Sequence, residues 1–191
     1  MPEVSPCFTP GTLIATDQGW RPVETLRRGQ KIVTRDNGLR RISWIGRRDV
    51  PYEELTDEQS LQPVMLRRGS LGPGSPSRDM LVSPNHRFLV KTALRGGEEV
   101  LMAARDLIDR RGIFPARVLG VSYLHILAEA HEVILANGAW TESFHPDDVV
   151  LRLMARRQRQ ELLRLFPEVA THGAASRFPA ARDIRSSKFD K

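Results

Sequence analysis

The feature that most constrains this chain is the brevity of its apolar segments. Residues 12–16, 31–34, 41–45 and 64–66 are short apolar or alternating runs, and 80–82, 87–90, 100–103, 117–126 and 132–135 continue the series. Pro10-Gly11, Asn37-Gly38, Gly72-Pro73-Gly74 and Asn137-Gly138 punctuate them. Short runs at close spacing between turn-forming residues predict an all-β body, with neither a βαβ alternation nor a repeat of fixed period. Residues 56–59 and 103–110 read as short helical turns, the second with an apolar edge at Ala104, Leu107 and Ile108.

After Pro146 the pattern changes. Val150, Leu153, Met154, Leu162, Leu163 and Phe166 recur mostly at spacings of three and four, which predicts one amphipathic helix within 146–167. Asp147 and Asp148 suit its N-terminus, where negative charge meets the positive end of the helix dipole, and Pro167 stops it. Residues 168–191 are rich in Ala, Ser and Arg, and predict a flexible basic tail with partial disorder.

Charge follows the same division. Residues 1–150 carry 19 basic and 19 acidic side chains, and 151–191 carry 10 and 4, so the whole excess of +6 lies in the tail. A neutral body lacks the basic stripe expected of a nucleic-acid-binding domain. Arg156, Arg157 and Arg159 read as a solvated helix face, so no nucleic-acid partner is expected on these counts. No apolar run reaches the roughly 18 residues of a membrane span. The first residues lack the basic and apolar regions of a cleavable signal, which leaves the compartment unknown, cytoplasmic by default. One cysteine excludes an intramolecular disulfide and a zinc site on paired thiols. His125, His131 and His145 share a region but lack ligand spacing, so neither a metal nor a cofactor is expected.

Three places can carry chemistry. Cys7 stands before the turn Phe8-Thr9-Pro10-Gly11-Thr12 that leads into the first strand. Ser83-Pro84-Asn85-His86 is a turn between apolar pairs, which brings a hydroxyl and an imidazole to the same side of one peptide group. His131 begins a run to Ala136-Asn137-Gly138, whose last two residues predict a type I′ hairpin turn.

Taken in order, these residues resemble the Hedgehog/intein (Hint) domain, in its bacterial intein-like branch, over roughly residues 7–145. Cys7 through Thr12 match the family's first motif. Val23-Glu24-Thr25-Leu26-Arg27-Arg28-Gly29-Gln30-Lys31-Ile32-Val33 matches the strand pair that follows, with Gln30 in place of the usual acid. Ser83 and His86 match the Thr-x-x-His motif, and Tyr123, His131 and Ala136-Asn137-Gly138 match the penultimate one. The resemblance implies a pseudo-twofold horseshoe of short strands. It also implies an N-to-S acyl shift in which the Cys7 thiol attacks the carbonyl of Pro6, with the chain's own N-terminal peptide, residues 1–6, as substrate. His86 would protonate the departing nitrogen, Ser83 would hydrogen-bond the same peptide, and His131 would sit across the site. Splicing members end in His-Asn, whose Asn cyclises to release the downstream segment. Glu142 and Ser143 occupy those places, so the implied outcome is cleavage by water or an outside nucleophile without splicing. Pro6, the six-residue leader and the Glu142-Ser143 pair equally suit a decayed Hint fold kept as a structural or interaction module.

Overall fold

In a computed structural model, residues 5–91, 97–108, 110–173 and 177–186 are described, with the side chains of Leu153 and His172 excepted. The body is all-β, as its short segments predict. Strands β1 (Leu13–Thr16), β2 (Gly19–Pro22), β3 (Lys31–Val33) and β4 (Leu39–Pro51) come first. A short helix α1 (Tyr52–Asp57) precedes β5 (Val64–Leu66), β6 (Met80–Val82), β7 (Arg87–Lys91), β8 (Glu99–Ala103) and β9 (Ile113–Pro115). The long strand β10 (Gly120–Ala128) and the hairpin β11 (Val133–Ala136) and β12 (Ala139–Glu142) complete the body. One sheet runs β10-β4-β3-β1-β11-β12-β7-β8, with β2 beside β1, and a second is ordered β6-β5-β9.

Three features were not foreseen in the residue pattern. β4 runs for 13 residues rather than five, because Arg47, Arg48 and Asp49 continue the strand with polar side chains on its solvated positions. It pairs with β10 from Gly120↔Pro51 to Ala128↔Ile42, with a bulge between Leu127 and Ala128. β2 and β9 are short edge strands, β2 being largely exposed and β9 buried only at Ile113, so neither shows the alternation that marks a half-buried strand.

The C-terminal region departs further. Where one helix was expected within 146–167 there are two, α2 (Asp148–Leu153) and α3 (Arg156–Leu165), and a further one, α4 (Glu168–His172), opens the expected tail. Met154 and Ala155 take extended backbone between the first two, and Phe166-Pro167 separates the last two. The expected N-terminus holds: the Asp147 carboxylate accepts a hydrogen bond from the Val150 N–H at 2.7 Å. Nor are the described residues of the expected tail, 168–173 and 177–186, without structure. Phe178 is fully buried, and β13 (Ile184–Arg185) pairs in parallel with β8. Arg182 meets Asp36 and Glu99, and Arg185 meets Glu98, so the basic residues there face acidic partners on the body. Residues 174–176 and 187–191 of the expected tail, and 1–4 of the expected leader, lie outside the described residues.

Among the described residues the core forms three clusters. The largest lies within the strands, around Ile14, Ile32, Val82, Phe88 and Ile134. A second joins Trp44, Leu127 and Phe144 of the body to Leu162, Phe166 and Phe178 of the C-terminal segment. The smallest surrounds Cys7 with Val50, Leu55, Leu61 and Tyr123. Among the described residues no helix is long and apolar enough to cross a membrane.

Candidate functional site

The segment before β1 threads between the two sheets. Phe8 bridges Val82 of β6 and Leu124 of β10, exchanging both backbone hydrogen bonds with Leu124 at 2.8 and 2.9 Å. The Ser83 N–H donates to the Cys7 carbonyl at 3.1 Å, and the Thr9 hydroxyl donates to the Leu81 carbonyl. These bonds fix Cys7 where β6 and β10 converge and leave it 1% exposed. The turn at 83–86 closes as expected, with the His86 N–H donating to the Ser83 carbonyl at 3.0 Å.

Around the Pro6–Cys7 peptide the polar groups are few and specific. The Cys7 N–H donates to Ser83 Oγ at 2.8 Å, and the Ser83 hydroxyl in turn donates to the Ser5 carbonyl at 2.9 Å. The Cys7 thiol donates to that same carbonyl at 2.9 Å. His125 lies beside the sulfur, with Nδ1 at 3.3 Å and Nε2 at 3.6 Å, and its Nδ1 is also 3.2 Å from the Pro6 carbonyl oxygen. The ring is held by packing. It stacks on Trp44 at 5.8 Å between centroids and meets Phe144 edge-on at 4.7 Å.

Burial sets the protonation of these groups. It pushes the Cys7 thiol well above its ordinary pKa, outweighing the hydrogen bond from Ser83 and the Arg48 charge that act the other way. It also holds His125 down to about 4, against the contact with Pro6, which favours the charged ring. At neutral pH the resting site therefore contains a neutral thiol beside a neutral imidazole.

His86 lies nearby but makes no hydrogen bond to the scissile peptide. Its Nε2 is 2.6 Å from Thr141 Oγ1, and its ring packs edge-on against Phe8 at 4.4 Å. The Thr141 hydroxyl has one proton, which it donates to the Arg87 carbonyl at 2.6 Å, so the Thr141–His86 bond uses a proton on Nε2. Nδ1 of His86 is buried with no partner among the described residues. Burial holds this ring at about 4 as well, so at neutral pH the unpartnered nitrogen has a lone pair and no proton.

His131 belongs to a different cluster. Its Nε2 is 3.3 Å from Glu142 Oε2, and its Nδ1 accepts from the Ala181 N–H at 3.1 Å. Its ring stacks on His145 at 4.2 Å, and His145 Nε2 is 2.7 Å from the Phe178 carbonyl. Glu142 also accepts from the Arg87 N–H and pairs with its guanidinium at 3.0 Å. Burial raises the Glu142 pKa, but Arg87 and His131 outweigh it and hold the carboxyl below its ordinary value. Burial lowers His145, and the neighbouring His131 adds to this. Ser143 Oγ accepts from the Glu132 N–H at 3.0 Å.

The structure thus brings Cys7 and Ser83 onto one peptide bond and sets His86 one side chain away, across Phe8. It gives His131 to the cluster that anchors the C-terminal segment. The residue that the motifs did not single out is His125, which the sequence offered only as a member of an unpromising metal set. A polar residue inside the apolar run 124–127 was the available signal. Among the described residues no group of three or more His, Cys, Asp or Glu side chains is arranged to hold a metal ion.

The family model described as "Hint domain" matches residues 6–148. The fold is similar to the bacterial intein-like domain from Clostridium thermocellum, at 12% identity and a TM-score of 0.45, covering 72% of this chain and 97% of that one. It is also similar to a DnaB intein from Synechocystis, at 16% identity and a TM-score of 0.45, covering 73% of this chain and 99% of that one. No curated protein matches.

Proposed function

Because this chain belongs to the Hint domain family, a family of self-processing domains, we propose that it cleaves its own backbone at the Pro6–Cys7 bond by an N-to-S acyl shift. The observation that carries this reading is the convergence on one peptide: the thiol, its own N–H on Ser83 Oγ, and a histidine nitrogen on the Pro6 carbonyl. The Cys7 sulfur bonds to the Pro6 carbonyl carbon, the amide C–N bond breaks, and the proton lost by the thiol ends on the Cys7 nitrogen. Water or an outside nucleophile then takes the acyl group from sulfur and restores the thiol. The step must overcome amide resonance, reflected in a rotational barrier of ~18–20 kcal/mol. Ser83 holds the nitrogen side of that amide by accepting its N–H.

The same chemistry stops at this bond. The places of the splicing His-Asn pair are filled by Glu142, committed to Arg87 and His131, and by Ser143, which is fully buried. Neither offers an Asn amide to cyclise, so release of the downstream segment does not follow.

Intact-mass spectrometry of the purified chain, incubated with and without dithiothreitol or hydroxylamine, tests the reading. The expected result is loss of residues 1–6, faster with the added nucleophile and absent in Cys7→Ala. A wild-type mass that stays unchanged under all conditions overturns it. One observation favours a second reading, a Hint fold retained as a structural module: the thiol is packed in a core cluster with Tyr123 and Leu61. An inert but stable wild type is the result that reading expects.

A further inference from the structure

We propose that His125 is a catalytic residue of the acyl shift, its Nδ1–H polarising the Pro6 carbonyl while its Nε2 receives the Cys7 thiol proton. The inference rests on the self-processing reading and assigns a role to a residue that none of the family motifs quoted above contains.

The tautomer follows from the partners. A carbonyl oxygen only accepts hydrogen bonds, so the 3.2 Å contact between His125 Nδ1 and Pro6 O is a hydrogen bond only if Nδ1 carries the proton. A neutral ring then has its lone pair on Nε2, which is 3.6 Å from the sulfur. Nδ1 contacts the Pro6 oxygen and stands 3.3 Å from the sulfur, with Nε2 at 3.6 Å, so the ring borders both atoms that change charge in the attack. As sulfur bonds to the Pro6 carbon, the thiol proton moves to Nε2, and the negative charge gathering on the Pro6 oxygen meets a hydrogen bond from a ring that has just become cationic. The tetrahedral centre collapses by breaking the C–N bond, the ring surrenders its extra proton, and the Cys7 nitrogen gains one. His125 ends neutral, and no proton or electron pair is left over.

The surroundings suit this work. Trp44 and Phe144 pack against the ring and exclude water, which strengthens a hydrogen bond to developing charge. Of the charged side chains facing this pocket, Arg48 of β4 acts on both Cys7 and His125, and Glu142 acts on Cys7. Arg48 is itself paired with Glu54. Burial keeps the ring uncharged at rest, so one of its nitrogens carries a lone pair. His86 differs in this respect: its Nε2 proton is already committed to Thr141, and its free nitrogen contacts no reacting atom.

The test compares thioester formation, trapped with hydroxylamine, in wild type, His125→Ala, His125→Gln and Cys7→Ala, with circular dichroism and melting curves to establish folding. It is paired with ¹⁵N spectra of the histidine rings in the unreacted Cys7→Ala chain. The expected results are a loss of at least about 100-fold in both His125 variants, in the range for removing a positioned acid–base group, and a His125 ring protonated on Nδ1. Folded variants that react within about threefold of wild type overturn the role of His125 and leave self-processing standing. So does a ring protonated on Nε2. A wild type as inert as Cys7→Ala overturns self-processing, and the catalytic assignment falls with it.

Discussion

At the scale of single residues, the site depends on one close approach that the sequence does not announce. Gly46 lies on β4 opposite His125. A Cβ placed there would stand 2.2 and 2.6 Å from two atoms of the Trp44 ring and 3.0 Å from His125 Cδ2. Trp44 is 2% exposed and packed against Phe144, so it has no free space to yield into. Gly46→Ala should therefore cost about 1–3 kcal/mol, as overpacking does. It should also slow thioester trapping, because the ring that moves is the one that holds His125. A melting curve and a trapping rate both equal to wild type would show that the Trp44–His125 stack does not set the site. Asn137 illustrates the opposite case. Its φ of 46° and that of 75° at Gly138 are what a type I′ turn requires, and the dipeptide predicts them directly. The Asn137 side chain then accepts a hydrogen bond from the Leu13 N–H at 2.8 Å, tying the hairpin to β1.

At the scale of elements, the C-terminal segment behaves as part of the body's core. Of the apolar residues that periodicity found, Val150, Met154, Leu162, Leu163 and Phe166 join the cluster of Trp44, Leu127 and Phe144. The short segment that follows docks through Phe178, through the Ala181 N–H on His131, and through β13 on the edge of β8. It covers an edge that would otherwise present unpaired backbone groups. Phe178 has a fully buried ring with Arg177 over its face at 4.6 Å. Phe178→Ala should cost about 3–5 kcal/mol. Amide exchange in β8 and around His131 and His145 should accelerate more than in β4 and β10. Uniform acceleration across all strands would mean that the segment is not an independently docking unit.

At the scale of the whole molecule, buried histidines tie stability to pH. His86 and His125 sit near 4 in the folded state against 6.5 when solvated. Between those values the unfolded chain binds more protons, so stability falls as pH drops from about 6.5 toward 4. Each ring accounts for roughly 3 kcal/mol at most, from 1.36 kcal/mol per pKa unit. Glu142 acts in the same direction at lower pH: its depressed carboxyl stabilises the fold above 4.5, and that contribution is lost as pH falls through its folded value. Urea midpoints measured from pH 7 to 4.5 should decline, and His125→Gln should decline less steeply than wild type. A flat wild-type profile would contradict the burial of these rings. By itself, the sequence determined the all-β class, the strand segments around the site, the turn at 83–86 and the hairpin at 137–138, because turn chemistry and alternation are local properties of the chain. Only the tertiary structure decided that His125 faces the sulfur while His131 faces Glu142, that β4 extends through its charged residues, and that residues 177–186 pack on the body. Each of those outcomes depends on which distant strand a side chain meets, and no local pattern encodes that.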